Sequence, residues 1–410
     1  MRRDHNLPVD DVPVRGEHGY TLVELLVVMA IFITVIIVAS QGFQTVLTQV
    51  GQQSKLMETD IGNVVGLEMF RSDVQNAGYG LPFTLTTRSA PAAGSYTEVT
   101  NSDTGIPMTA GFWPTGKSPL SFNDAVATYT YDTDGAPRAV QSGNTTFNTR
   151  AGVGSQYLVI KSLTVANSQN ATQKKWMTVS YSDTAKNAPL WNDPTRDFAN
   201  TERVMVIRNT FTDNTPKREL QISGGAYSAP FSNYTTLTLP HSSGDVFQVY
   251  GVDQSSTLRM PFNRADFYVY RPTPAPPVCA PNTGILYKSV LNQGANFTDI
   301  PLLDCVADMQ VVYGMGQAGS NEVNFHQTTL TGTAKDIREQ VKEIRIYILA
   351  QQGKKDTGYK HPNSQIAVGE SFGGPLMGRT FDLPSQIGTG WENYRWKVYT
   401  IVVRPQNLIQ

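Results

Sequence analysis

The chain has 410 residues, of which 40% are hydrophobic and 16% charged, and its formal net charge is -1 at neutral pH. This length and apolar content predict one large folded domain or two modest ones, and they exclude a disordered tail. The near-zero charge gives no electrostatic basis for nucleic acid as a partner, so none is expected.

The chain contains two cysteines, Cys279 and Cys305. They fit either a single disulfide in an exported domain or two thiols in the cytosol.

The N-terminus joins a polar segment to a long apolar one. Residues 1–19 are polar, whereas in residues 25–39 only Thr34 is polar. Counted from Tyr20, the apolar stretch has the ~20 residues that a helix needs to cross a bilayer core. The sequence therefore predicts a membrane-spanning helix at residues 20–40.

Three interpretations compete for this segment. A plain membrane anchor leaves Glu24 unexplained, because an ionised carboxylate in a membrane helix costs about 2.5–3.5 kcal/mol. A secretory signal peptide has an acceptable small-residue cleavage site at residues 38–40, but its apolar region would be long and its leader is not clearly basic. In a prepilin, cleavage precedes the apolar run, here between Gly19 and Tyr20.

Residues 19–27 read GYTLVELLV. They resemble the processing site that type IV pilins share with type II secretion pseudopilins, a family with Gly before the cut, an N-methylated first residue and Glu as fifth residue of the mature chain. The resemblance implies cleavage by prepilin peptidase after Gly19 and methylation of Tyr20. It also implies that Glu24 acts in subunit docking by neutralising the terminal amine of a neighbouring subunit. Tyr20 stands where the family usually has Phe, and the leader is more acidic than is usual.

The helical pattern continues beyond the apolar run. Apolar residues recur at spacings of three, four or seven between residues 43 and 70, which is typical of an amphipathic helix. Residues 77–82 read AGYGLP, a glycine stop followed by proline. One helix is therefore predicted from about residue 20 to residue 76, with its second half packed on the protein's own globular part. Gly42 and Gly66 are each expected to weaken it by about 1 kcal/mol relative to Ala.

Beyond residue 81 the pattern is almost entirely β. Segments rich in Val, Ile, Thr and Tyr alternate with clusters of Asn, Asp, Gly and Pro. The predicted strands are residues 125–131, 156–165, 176–181, 203–208, 234–239, 245–250, 266–270, 284–290, 309–313, 344–350 and 395–403. The predicted fold class is therefore α+β: a long N-terminal helix packed on a large, mostly antiparallel β head.

Several segments of the chain resemble PilW-type minor pilins, in the order usual for that family. The segments in the final third are residues 286–288 (LYK), 304–314 (DCVADMQVVYG), 343–346 (EIRI) and 394–400 (YRWKVYT). With the helix and its glycine stop, the resemblance covers roughly residues 16–80 and 279–405, and residues 81–270 resemble no family.

The expected organisation has four parts. They are a leader peptide at 1–19, the pilin helix at 20–78, a β-rich head with an unassigned insertion at 79–271, and a PilW-like β region at 272–410, with the last boundary in the proline-rich segment 271–277. Because the resemblance places the head outside the cytoplasm, Cys279 and Cys305 are expected to form a structural disulfide.

Two enzyme-like patterns are weak. Residues 369–373 (GESFG) fit a nucleophile elbow, but no histidine follows His361 to serve as the base. Residues 314–319 (GMGQAG) fit a dinucleotide fingerprint, but no helical pattern follows to hold a pyrophosphate. Both are predicted to be glycine-rich loops or turns. No catalytic residue, cofactor or metal is expected, and the protein is not expected to be an enzyme.

The resemblance implies a minor type IV pilin that helps to initiate or cap pilus assembly at low copy number. Its partners would be prepilin peptidase, other minor pilins and the major pilin. It would wait in the inner membrane as a single-pass protein with a cytoplasmic leader and a periplasmic head, and then join the cell-surface pilus. The alternatives are a type II secretion pseudopilin and a pilus-tip adhesin that binds through residues 81–270.

Overall fold

The fold is given by a computed structural model. It describes residues 21–85, 136–144, 155–165, 171–182, 185–212, 215–223, 226–253, 262–272, 274–291, 293 and 297–408. The predicted cleavage site at Gly19 and Tyr20 and the predicted strand at 125–131 lie outside these residues. The chain divides into two compact units, residues 1–57 and 58–410. The fourfold organisation expected from the sequence stays a prediction.

The long N-terminal helix is confirmed. Helix α1 spans Leu22–Gln75, and the glycines that follow it end it as predicted. Gly78 and Gly80 have φ angles of +80° and +76°, a region that residues with a Cβ rarely enter. The Gly78 N–H donates to the Lys161 carbonyl at 3.0 Å, so the helix end is bonded to the β head.

The β head follows the helix. Its strands in chain order are β1 Thr84–Leu85, β2 Val140–Asn144, β3 Gln156–Ser162, β4 Trp176–Ser182, β5 Ala185–Asn187, β6 Arg203–Thr212, β7 Thr215–Leu220, β8 Ala229–Pro230, β9 Val246–Gly251, β10 Asn263–Tyr270, β11 Gly284–Leu291, β12 Phe297–Met315, β13 Phe325–Gln327, β14 Val341–Gln352, β15 Gln365–Ser371, β16 Leu376–Asp382 and β17 Arg395–Val403. Two short helices, α2 Ala334–Gln340 and α3 Leu383–Ile387, interrupt them.

The strands form two large sheets and a hairpin. The β12 sheet has the order β17-β14-β12-β11-β10-β3-β2, with β13 beside β12, and its pairs are antiparallel. The β6 sheet has the order β1-β7-β6-β9-β4-β5, with β8 beside β6, and the pair β1–β7 is parallel. Strands β15 and β16 pair with each other. The α+β class with a largely antiparallel head is thus confirmed.

One core joins the end of α1 to both sheets. Its buried residues include Phe70 and Val74 of the helix, Phe267 of the β12 sheet, and Met205 and Ile207 of the β6 sheet. The rings of Phe70 and Phe267 stack with their centroids 4.2 Å apart. A second core lies among β4, β6 and β9 of the β6 sheet, and a third lies beneath the β15–β16 hairpin.

Helix α1 approaches the β12 sheet very closely at Gly66. A Cβ atom at Gly66 would lie 2.0 Å from the Leu302 carbonyl oxygen of β12. From the sequence, Gly66 was expected only to destabilise the helix. In the structure, the absence of a Cβ at Gly66 allows the close contact between helix and sheet. Gly42 has open space around it.

The strand predicted at residues 234–239 is wrong. Residues Phe231–Thr236 form a 3-10 helix instead. The 3-10 spacing of three residues brings the ring of Phe231 onto that of Tyr234, with centroids 5.0 Å apart, and buries Tyr234 in the second core. Aromatic packing at this spacing overrides the β propensity of the segment.

Candidate functional site

The first half of α1 carries an apolar surface. Residues Leu22–Gln44 are long and apolar enough to cross a membrane, by length and composition, and none of this segment is buried. At 1.5 Å per residue, these 23 residues span about 34 Å, against about 30 Å for a hydrocarbon core. An exposed apolar surface of this extent marks a segment that is covered by lipid or by other protein helices.

Glu24 is the one ionisable residue of Leu22–Gln44. Its side chain and Thr21 form a reciprocal cap at the start of α1. The Thr21 N–H and hydroxyl donate to Glu24 Oε2 at 2.9 and 3.0 Å, and the Glu24 N–H donates to Thr21 Oγ1 at 3.3 Å. Within the described residues Oε1 accepts no hydrogen bond, so this oxygen can accept one from another group.

A second acid of α1 fixes the helix end to the head. Asp73 Oδ2 accepts a hydrogen bond from Lys288 Nζ at 2.6 Å, and both side chains are nearly buried. Burial raises the pKa of Asp73 to about 6, although the charge of Lys288 acts in the opposite direction. This pair was not predicted from the sequence. The available signal was an acid between Phe70 and Val74, on the apolar stripe of the helix.

Cys279 and Cys305 are bonded, as predicted. The bond links the segment before β11 to the buried strand β12. Gln351 of β14 supports the same segment, because its Nε2 donates to the Val278 carbonyl at 2.9 Å and its Oε1 accepts from the Ala280 N–H at 2.5 Å. The disulfide is therefore part of a connection that joins β11, β12 and β14.

The two enzyme-like patterns lie at strand ends and turns. Residues 369–373 run from β15 into the turn of the β15–β16 hairpin, where Ser371 pairs with Leu376. In this hairpin the Glu370 carboxylate accepts hydrogen bonds from Arg345 and Tyr347, at 2.8 and 2.9 Å. Residues 314–319 cover the end of β12 and the following turn. Both placements agree with the predicted loop and turn.

Comparison with known proteins gives two family matches. The family of type IV pilus-assembly protein W, PilW, matches residues 267–407. The prokaryotic N-terminal methylation motif matches residues 14–40, which include Gly19, Tyr20 and Glu24. Comparison with curated proteins and with solved structures gave no match. The two matches are consistent with a PilW-type pilin-like protein and support a role related to type IV pili. Families of this kind are generally structural rather than enzymatic.

Proposed function

We propose that this chain, a PilW-type pilin-like protein, is a minor type IV pilin that helps to initiate or cap the pilus at low copy number. The observation that carries the proposal is Glu24, a lone exposed carboxylate in an otherwise apolar helix segment. It lies within the matched methylation motif, five residues after the expected cleavage point at Gly19. A membrane anchor alone gives no reason to keep this carboxylate, whereas a docking role does.

Docking would proceed through charge pairing. Prepilin peptidase would cut between Gly19 and Tyr20 and so create a cationic amine at Tyr20, which is then methylated. An ammonium group and a carboxylate are each costly to bury alone among apolar helices, and much less costly as a pair. The Tyr20 amine of one subunit would bind Glu24 of its neighbour, with Oε1 as the accepting oxygen. Oε2 would keep the Thr21 cap.

Low copy number follows from the size of the head. A compact body formed by residues 58–410 has a radius of gyration of about 20 Å. Such a body is hard to repeat at every position of a closely packed filament, so a place at the tip or at rare positions is expected. The Cys279–Cys305 bond fits a head in the periplasm or at the cell surface, since such bonds persist in oxidising compartments.

The first test is the N-terminus of the mature protein. Protein extracted from membranes of cells with prepilin peptidase is expected to begin at methylated Tyr20, and protein from cells without it at Met1. Mass analysis of the intact chain distinguishes these forms. A mature chain that begins near Gln41 would indicate signal-peptide cleavage and would contradict the proposal.

The second test separates docking from membrane insertion. Glu24→Gln keeps an oxygen for the Thr21 cap but removes the charge, so the variant is expected to insert in the membrane and to enter filaments at least tenfold less. Glu68→Gln, an exposed acid in the head unit, is the matched control and is expected to behave as wild type. Wild-type incorporation of Glu24→Gln would refute the docking role. Loss of protein secretion without loss of pili on deletion would identify a type II secretion pseudopilin instead.

A further inference from the structure

A cleft opens on the β6 sheet, and all but one of its lining residues, Asn407, lie in the part of the chain that matches no family. Its volume is about 730 Å³, within the usual range of ligand sites. It lies between the ends of β6, β7 and β9, the turn after α1 and the C-terminal segment. The residues that matter for its chemistry are Tyr79, Asn209, Lys217, Arg218, Gln248 and Tyr250. We infer that this cleft binds an acidic saccharide, a ring with several hydroxyls and one carboxylate.

Strand register places the polar groups of the cleft side by side. Asn209 of β6 is paired with Arg218 of β7 on one side and with Val246 of β9 on the other. Neighbouring strands lie about 4.8 Å apart, so Asn209 and Arg218 face the same ligand. Two residues further along the same face, Ile207 and Leu220 belong to the shared core. The cleft is therefore the place where a buried apolar face changes to hydrogen-bonding residues.

Two atoms on the wall are buried without a hydrogen-bond partner among the described residues. They are Arg218 Nε, a donor, and Asn209 Oδ1, an acceptor. Arg218 Nη2 reaches Gln248 Oε1 only at 3.5 Å, and that oxygen already accepts the Tyr250 hydroxyl at 2.7 Å. Because buried polar atoms are normally bonded, this adjacent donor and acceptor are set for a ligand that offers both a carboxylate oxygen and a hydroxyl.

The charge of the cleft favours an anion. Asp245 also lines it, but its carboxylate is engaged by Arg208 Nη2 at 2.8 and 2.9 Å and by the Ser242 N–H at 2.7 Å. Burial favours the protonated form, yet these bonds hold the pKa of Asp245 below its usual range, so this acid and Arg208 neutralise each other. In the described part of the chain, neither Lys217 nor Arg218 has an acidic partner. The charge of Arg218, on the same face as Asn209, remains for the ligand, and Lys217, whose side chain leaves β7 on the other face, adds a second positive charge to the lining.

The rest of the wall fits a sugar better than a bare phosphate. Tyr79 is 39% exposed, and its ring can offer a flat apolar surface to the C–H face of a pyranose ring. An arginine fork binds a planar carboxylate through two parallel hydrogen bonds. Phosphate sites usually add backbone N–H groups of a helix N-terminus, and the cleft instead lies beside residues that follow the C-terminal end of α1.

The test uses the full chain in detergent micelles and titrates glucuronate by calorimetry. Glucose and inorganic phosphate serve as the neutral and the purely anionic comparison. Glucuronate is expected to bind at least tenfold more tightly than either, and its affinity is expected to fall as salt increases. Absence of glucuronate binding would overturn the inference. Equal affinity for phosphate would reduce the cleft to an unspecific anion site and would also overturn it.

Variants then locate the binding. Arg218→Gln is expected to weaken glucuronate at least tenfold, whereas Arg196→Gln, which removes an arginine stacked on Trp191 outside the cleft, is the matched control and should leave affinity unchanged. Lys217→Gln is a second variant at an exposed position, so it tests the charge without disturbing the core. Wild-type affinity in both cleft variants would refute the assignment. None of these results depends on the proposed pilus role.

Discussion

Replacing Gly66 with Ala tests how α1 is held on the head. The added methyl carbon would lie 2.0 Å from the Leu302 carbonyl oxygen and 2.9 Å from its carbon, and contacts below 3.0 Å are essentially never seen for a Cβ. The obstacle is the backbone of β12, an interior strand of its sheet, which cannot rotate away as a side chain can. The helix must therefore move away from the sheet by about 1 Å.

Two opposing effects decide the size of the result. Alanine improves the helix by about 1 kcal/mol. Against this, a radial gap of 0.5–1 Å removes about a quarter to a half of the dispersion energy of the contacts it opens, and the stacked pair Phe70–Phe267 lies one turn beyond Gly66. Overpacking of a rigid site costs up to about 3 kcal/mol. The net expectation is a loss of about 2 kcal/mol in the free energy of unfolding of the head.

Urea unfolding of the full chain in detergent, followed by tryptophan fluorescence, measures this loss. Gly42→Ala is the matched control: it is the same substitution in the same helix, with open space around it, and it should leave the unfolding of the head unchanged. If Gly66→Ala is as stable as wild type, or more stable by about 1 kcal/mol, then helix propensity decides at this position and the close contact does not exist in solution.

The other predictions concern buried pairs. Lys288→Met leaves the buried carboxylate of Asp73 unpaired and should lower the free energy of urea unfolding at pH 7 by about 3 kcal/mol; an effect as small as that of an exposed pair, below about 1 kcal/mol, would contradict this. Because the pKa of Asp73 is about 6 in the folded chain against 3.8 in the unfolded chain, the folded state binds the extra proton between about pH 4 and pH 6. The contribution of Asp73 to stability should thus fall as pH rises through that window, and the difference in unfolding free energy between wild type and Asp73→Asn, measured against pH, checks the sign. Arg379→Met removes both 2.7 Å bonds to the fully buried carboxylate of Asp308 and should cost about 3–5 kcal/mol in the same assay, whereas Arg395→Met, at a more exposed pair, should cost at most about 1 kcal/mol. Removing the disulfide with the double variant Cys279→Ala and Cys305→Ala opens a loop of 26 residues and should cost about 3.5 kcal/mol, and a wild-type unfolding curve that is the same with and without reductant would contradict it.

Periodic patterns made much of the fold predictable. The helix was predictable because its apolar residues recur at helical spacing and glycines mark its end. The last part of β12 (residues 309–313) and most of β14 (residues 344–350) were predictable because they are rich in Val, Ile and Tyr, whereas the first part of β12 was not predicted. Strand β7 was missed, since Thr215–Leu220 contains a proline and three charged residues. It forms a strand because its neighbour β6 supplies a complete set of antiparallel partners. In β7, pairing with β6 overrides the low β propensity of the segment, and the local sequence contains no pattern that predicts this pairing.

The residues of the candidate sites also fall into a predictable and an unpredictable group. The functional importance of Glu24 was predictable, because a single acid within an apolar segment is energetically costly and is visible in the local sequence. The pair Asp73–Lys288 was not, because its members are 215 residues apart in the chain. Arg218 and Asn209 look like ordinary polar surface residues in sequence. Only strand register brings them together and buries the atoms that lack partners.

The two family matches and the cleft occupy largely different parts of the chain, and Asn407 is the one lining residue of the cleft that lies inside a match. The matched residues 14–40 and 267–407 contain the apolar start of α1 and the strands of the β12 sheet from β11 to β17. The cleft is built mainly on β6, β7 and β9, which lie outside both matches. The β6 sheet meets the rest of the head through apolar residues such as Met205 and Ile207, so the polar ends of its strands can change without disturbing that contact. This separation agrees with the two proposals above, in which the matched parts of the chain serve assembly and the unmatched sheet binds a ligand.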